Sequence, residues 1–495
     1  MMNWSLFQQL LFGDTPPPVT NVVVGQYDDL PAEGLTMGTL IIGRQGTGKT
    51  TVLARHLVDY FKRYQNRAIF VLDWSGAISD SILKLILMDP KKDELLKRIV
   101  YDELGHPDWV VPMPEFSEAY GVPFEEQAQR VSSNLAKLAP ELVRDAPFLA
   151  GLGLREIAPQ IFRILSAITN EHGEPWQVTE AKRLILDPPL TKLATAQFGY
   201  KVPEAKWFME RMYLQLKPQE RELRSYALLA LLGAIEPRSA RARVGYYRPG
   251  WTPREAIQKG LMVLVNGARL INEKNTQHYL FTQAYSLIMA EINKRQPGNP
   301  EDQPVALVMD EVYSLLSIPG MAEEVGMLSP LYRSRKLELY VVLQSLAQLA
   351  LVLRDQIWSI GNVMCFAMSN FDEAYTVAQQ LFQFEPLRAK VPPKVDLQRT
   401  FIETDRSQYL TIANWIQRLQ HRQCIVRRFW SEQRLDQHVR MVPRTKELPS
   451  RQMDDKLDEI KESLLRERGV LVRDALEVIN QRKLVIPVVN KPPQL

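Results

Sequence analysis

The sequence predicts an α/β protein, a mainly parallel sheet flanked by helices with an all-helical domain inserted into it. Three observations carry that prediction. Short apolar runs that end in glycine or an acid alternate with amphipathic stretches, the pattern of parallel strands buried on both faces. The first clear run, "GTLIIG" from Gly38, leads directly into a glycine-rich turn with a single lysine and then into a helical stripe. Between about residues 123 and 236 the β-branched runs vanish and helical spacing takes over.

Taken in order, a proline-containing leader and "NVVVG" predict a lead-in with one short strand over residues 1–36. Residues 37–115 form the first part of the sheet domain. There "GTLIIG" is a strand, Leu53, Leu57 and Phe61 with Tyr60 and Tyr64 stripe one helix, and "RAIFVLDWSG" is a second strand ending in Asp73. Residues 116–250 are the helical insertion, carried by "FEEQAQRVSSNLAKLAPELV", "LREIAPQIFRILSAITNE" and "ERELRSYALLALLGAI". The sheet resumes over 251–450 with "GLMVLVNGA", a long helix through "QHYLFTQAYSLIMAEINKR", then "PVALVMDE", "LELYVVLQS" and "NVMCFAM", with "QCIVRRF" as a further strand. Residues 451–495 are a charged helix with Leu457, Ile460, Leu464 and Leu465 as its apolar face, then a short tail.

Composition fits this plan. A chain of 495 residues, 45% hydrophobic and 24% charged, is an ordinary globular protein of more than one unit. The net charge of +4 neither demands nor excludes nucleic acid, because phosphate binding depends on local clusters of cations. Cys365 and Cys424 lie in apolar stretches, which predicts buried thiols rather than a disulfide, and the six histidines show no metal-ligand spacing. Any metal is expected to arrive with a nucleotide. No run reaches the roughly 18 apolar residues a membrane span requires, so no direct membrane insertion is expected and the reading is cytoplasmic.

The chemistry lies in three separated pieces. "GRQGTGKT" matches the phosphate-binding pattern G-x-x-x-x-G-K-[ST], with Gly43, Arg44, Gln45, Gly46, Thr47, Gly48, Lys49, Thr50 and Thr51 as the nucleotide-binding set. Its backbone N–H groups would face phosphate oxygens, Lys49 would reach the β- and γ-phosphates, and Thr50 would coordinate Mg²⁺. "VALVMDE" ends a buried strand in Asp310 and Glu311, which predicts a metal-holding acid followed by one that polarises the attacking water. Gln344 ends the next strand, where it either senses the γ-phosphate or caps the strand. Arg335 precedes that strand, as an arginine finger offered to a neighbouring subunit or as a solvated basic turn.

Assembled, these segments resemble the HerA and FtsK superfamily of ring ATPases, and most closely the soluble motor of type IV secretion coupling proteins of the TraG and TraD kind. The resemblance rests on "GRQGTGKT", "VLDWSG", "GLMVLVNGARLI", "VALVMDE", "SRKLELYVVLQSLAQL" and "IWSIGNVMCFAMSNFDEAYTVAQQLF". It implies a RecA-like fold, ATP and Mg²⁺ as cofactors, a hexameric ring and ATP-driven DNA translocation. By match, Lys49 and Thr50 take the phosphate and metal roles, Asp310 and Glu311 the metal and water roles, Gln344 the sensor role and Arg335 the trans-acting finger. The chain departs from the family's usual Pro-Lys pair at Trp74 and Ser75, and from its usual Gly at Ser334.

The leading expectation is therefore a DNA-pumping motor acting in conjugation, mobile-element transfer, DNA processing or defence. A secretion or assembly ATPase that moves proteins without DNA, and a slow nucleotide-dependent switch, share the same nucleotide motifs. Arg427, Arg428, Arg434 and Arg440, interleaved with Phe429 and Trp430, are either a nucleic-acid surface or the solvated face of a strand and turn. The C-terminal helix either docks a nuclease, relaxase or secretion channel or packs on the motor's own surface.

Overall fold

Nine strands make one sheet in the computed structural model, which describes residues 38–138, 151–169, 173–316, 334–349, 353–354, 357–382, 389–390, 401–402, 405–428, 438–442 and 453–482. The strands are β1 (Thr39–Ile42), β2 (Ala68–Asp73), β3 (Ile99–Glu103), β4 (Met262–Asn266), β5 (Val305–Met309), β6 (Leu337–Leu343), β7 (Asn362–Cys365), β8 (Cys424–Arg428) and β9 (His438–Val442). Their order is β9-β8-β7-β1-β6-β5-β2-β4-β3. From β7 to β3 every pairing is parallel, while β8 and β9 close one edge as an antiparallel hairpin. The expected strands over described residues are all present. β3 and β9 are additions that periodicity did not reveal.

Strand β1 is fully buried between β6 and β7, so the loop that follows it opens at the C-terminal edge where chain order reverses, the usual ligand crevice of such sheets. Helix α1 (Lys49–Arg63) buries Val52, Leu53, Leu57 and Phe61 against the sheet and carries Lys62 and Arg63 at its negative end, which favours the helix dipole. Helix α2 (Ala77–Leu87) follows β2, and α3 (Phe124–Lys137) opens the helical insertion, in which every helix or turn of helix described lies between Glu118 and Gly245. Helix α4 (Lys274–Asn293) carries the chain from β4 towards β5, and Asn134 of α3 donates to Ser286 of α4 at 2.9 Å, tying the insertion to the sheet domain. Helix α5 (Phe371–Leu381) follows β7, and α6 (Asp405–Gln417) precedes β8.

The C-terminal segment packs on the molecule's own surface. In α7 (Asp454–Arg468) Leu457, Leu464 and Leu465 are buried, and Asp454 and Lys461 pair with Lys84 and Asp80 of α2. Val470 and Leu471 then pair antiparallel with Val110 and Trp109. After α8 (Val472–Gln481), buried Arg482 reaches Glu180 at 3.3 Å and the Gly245 carbonyl at 2.8 Å, both in the insertion. The segment thus bridges the two parts.

Several expectations fall elsewhere. "NVVVG", Phe429, Trp430, Arg434 and the tail lie outside the described residues, and Arg428 and Arg440 occupy positions on β8 and β9. Arg427 corrects the surface reading: it is 5% exposed and donates to the Gln380 carbonyl of α5 at 2.6 Å, so it satisfies a helix end rather than facing solvent. Cys365 and Cys424 are free buried thiols, both pushed up by burial. Among the described residues no helix is long and apolar enough to cross a membrane.

Candidate functional site

The loop between β1 and α1 is shaped by backbone conformations that side chains resist. Gly43, Gly46 and Gly48 have φ of 153°, 76° and 92°. A Cβ on Gly43 would sit 2.6 Å from the Phe366 Cβ, and one on Gly48 would sit 2.4 Å from the Arg422 Cγ. The loop is anchored to the strands on either side of β1: Gly43 N donates to the Leu343 carbonyl at 3.3 Å and Arg44 N to the Ala367 carbonyl at 2.9 Å. Arg44, Gln45 and Gly46 are exposed at the tip, while Thr50 and Thr51 are half-buried in the first turn of α1. The Thr47 hydroxyl donates back to the Arg44 carbonyl at 2.8 Å.

Lys49 projects into this loop. Its ammonium donates to the carbonyls of Gly43 at 2.6 Å and Arg44 at 3.0 Å. Burial lowers its pKa to about 8, against the opposing pull of Asp310 and Glu311. Asp310 and Glu311, at the end of β5, are therefore near enough to Lys49 for their charges to act on it.

Asp310 is 5% exposed, and its carboxyl is pushed up to about 8, by burial first and then by the charges of Asp73 and Glu311. Asp73 at the end of β2 was not singled out as a site residue. Its oxygens accept from Gly76 N at 2.8 Å and Ser79 N at 2.7 Å, so it fixes the turn into α2, and burial raises its pKa as well. The Ser75 hydroxyl bridges the two carboxyl groups, lying 3.3 Å from Asp73 Oδ1 and 3.3 Å from Asp310 Oδ2, with one proton to share between them. Trp74 stacks on Phe281 of α4 with centroids 3.7 Å apart, which holds the "DWSG" turn in place. The signal for Asp73 was present in the sequence: an acid ending a buried parallel strand lies at the same edge as the phosphate loop.

Glu311 has a φ of 46°, a left-handed conformation that costs a non-glycine residue energy. It accepts from Gln344 Nε2 at 3.3 Å, so the two residues named from neighbouring strands touch. The segment after Gln344 is held in turn: the Gln348 side chain accepts from Gln344 N at 3.2 Å, and Glu373 of α5 accepts from the Ser345 hydroxyl and from Ala347 N. Arg335 lies at the opposite edge of the sheet. Lys336 and the seven residues of β6 lie between it and Gln344, the strand alone spanning about 23 Å, and its guanidinium donates to Asn293 at 2.5 Å. Lys49, Asp310, Glu311 and Gln344 come together with Asp73 and Ser75; Arg335 does not join them within one chain. Among the described residues no group of three or more His, Cys, Asp or Glu could hold a metal ion unaided.

No protein-family model matches the chain, and no curated protein matches its sequence. Solved structures match its fold. The bacterial conjugative coupling protein TrwBdeltaN70, in a trigonal form in complex with sulphate, is 14% identical with a TM-score of 0.54, covering 88% of this chain and 92% of that one. The plasmid coupling protein TrwB in complex with ADP and Mg²⁺ gives 14% identity and a TM-score of 0.53 over the same shares, 88% and 92%. VirB4 of Thermoanaerobacter pseudethanolicus, at 12% identity over 79% of this chain and 86% of that one, reaches a TM-score of only 0.41. The chain thus shares the fold of the coupling protein TrwB, a RecA-like sheet domain with an added helical domain.

Proposed function

We propose that this protein is an ATP-hydrolysing motor of the coupling-protein type that moves DNA, working as a ring, with ATP and Mg²⁺ as its cofactors. The observation that carries the reading is the meeting of four residues from three strand ends, Lys49, Asp310, Glu311 and Gln344, over one glycine loop. The nucleotide-bound forms of TrwB, with ADP and Mg²⁺ or with a non-hydrolysable ATP analogue, support the same cofactors here.

The site fits a metal nucleotide. Asp310 is a buried acid whose nearest charged company includes two further carboxylates, an arrangement that favours a divalent cation. Thr50 and Asp310 would hold Mg²⁺, which supplies charge neutralisation as the γ-phosphate departs. The loop N–H groups and Lys49 bind and orient the phosphates. Glu311 polarises a water whose oxygen forms the new bond to the γ-phosphorus while the bond to the β,γ-bridging oxygen breaks, leaving ADP and phosphate. Gln344 touches Glu311 and continues into the Ser345–Gln348 turn seated on Glu373, which gives hydrolysis a route to α5. Arg335 would act on a neighbouring subunit's site, and Lys336 beside it has a φ of 56°, which kinks the chain between the arginine and β6.

ATPase rates with and without single- and double-stranded DNA over a range of salt, with particle size recorded alongside, test this. DNA stimulation that weakens with salt in a multi-subunit particle is expected. Indifference to DNA throughout supports a protein-moving ATPase instead. Mixing Arg335→Ala with Glu311→Gln should restore turnover at the minority of interfaces that receive an intact pair, if the arginine acts in trans.

A further inference from the structure

Strong backbone constraint recurs on the outer side of the phosphate loop. Among the described residues three non-glycines have positive φ, Glu311, Lys336 and Arg422, and Arg422 at 65° sits against the loop itself. It belongs to a closed turn between α6 and β8, in which Gln423 N donates to the Gln420 carbonyl at 3.0 Å and Gln420 N to the Gln423 side chain at 3.0 Å. This turn makes two consecutive contacts with the loop. His421 Nδ1 lies 2.7 Å from the Gly46 carbonyl, and Arg422 N donates to the Thr47 carbonyl at 2.7 Å. The Arg422 side chain, in a residue only 4% exposed, fills the space where a Cβ on Gly48 would fall.

A carbonyl oxygen can only accept, so Nδ1 of His421 carries the proton in this contact. In a trans peptide the C=O and the following N–H point in opposite directions. Fixing the Gly46 and Thr47 carbonyls towards the turn therefore fixes the Thr47 and Gly48 N–H groups away from it. Those are donors that an anion-binding loop uses.

We propose that His421 and Arg422 form a brace that orients the phosphate loop before nucleotide arrives, with His421 a positioning residue for nucleotide binding. This rests on the nucleotide-site reading above. Preorganised donors bind without first losing loop entropy, so the brace contributes to affinity. It also ties the loop to the turn that leads into β8, making nucleotide affinity dependent on a part of the chain 375 residues away in sequence, the separation of His421 from Gly46.

The test is the dissociation constant of Mg²⁺·ADP, by titration calorimetry, for wild type, Lys49→Ala, His421→Ala and His421→Asn. The asparagine amide nitrogen takes the place of Nδ1 and keeps the donor. Expected are binding about fivefold to tenfold weaker in His421→Ala, the loss of one hydrogen bond's worth of orientation, and near wild-type binding in His421→Asn. Melting temperatures without nucleotide should match among wild type and the two His421 variants, since the side chain is exposed. Wild-type affinity in His421→Ala overturns the brace alone. Equal weakness in His421→Asn also overturns it, by assigning the effect to an imidazole contact with the nucleotide. Failure of wild type to bind, or unchanged binding in Lys49→Ala, overturns the nucleotide site and the brace with it.

Discussion

Asp102 on β3 and Asp310 after β5 are both buried aspartates at the C-terminal edge of one sheet, and they are treated in opposite ways. Asp102 is fully enclosed, with the Arg243 guanidinium 2.6 Å from one oxygen and Trp251 Nε1 donating to the other at 3.0 Å. Asp310 has a hydroxyl at 3.3 Å, two carboxylates near enough to raise its pKa and a lysine already engaged with loop carbonyls. A charge that serves the fold is neutralised inside the fold. A charge that serves a ligand is left with a surplus that the ligand must relieve.

The largest expected effect breaks the paired site. Arg243→Ala leaves Asp102 buried without its cation and should cost about 3–5 kcal/mol of stability, read from the denaturant midpoint. An unchanged midpoint would remove the contrast. Asp310→Asn should act in the opposite direction in metal-free protein. The folded-state pKa of Asp310, about 8, lies above its ordinary 3.8, so the native state holds the extra proton between those values and wild-type stability falls as pH rises across the window. The asparagine variant lacks that slope. Its melting temperature should exceed wild type by a few degrees near pH 8, and the gap should close towards pH 4. A variant destabilised at pH 8 would show that Asp310 is a structural charge like Asp102.

Smaller still is the effect of Ser75→Lys, which brings an ammonium to the bridge between Asp73 and Asp310. It should flatten the same pH slope in part and weaken the Mg²⁺ dependence of nucleotide binding, making Asp310 resemble Asp102. A slope identical to wild type would mean that the serine position does not reach the pair.

Local pattern was enough to read the phosphate loop, the strands that carry Asp310 and Gln344, and the helical insertion, because each is a run whose period or spacing is set within a few residues. β3 was missed because its five residues, "IVYDE", sit among charges and end in two acids, of which Asp102 is buried against Arg243 and Trp251, about 140 and 150 residues on. Arg427 was misread for a related reason: an arginine beside aromatic residues in sequence gives no sign that a helix end from α5 awaits its guanidinium. Asp73 was legible from its place at a strand end, but its coupling to Asp310 through Ser75 is a tertiary fact. The brace at His421 was not legible at all, since a turn between a helix and a late strand carries no mark of the loop it supports.

The central claim is that the residues gathered at this edge hydrolyse ATP, with Lys49 holding phosphate and Glu311 preparing water. Measuring Mg²⁺·ATP affinity and single-turnover hydrolysis together in wild type, Lys49→Ala and Glu311→Gln tests it most directly. Lys49→Ala should lose binding, whereas Glu311→Gln should bind within about threefold of wild type and hydrolyse about a hundredfold or more slowly. Wild-type hydrolysis in Glu311→Gln, or turnover that survives Lys49→Ala, would contradict the account.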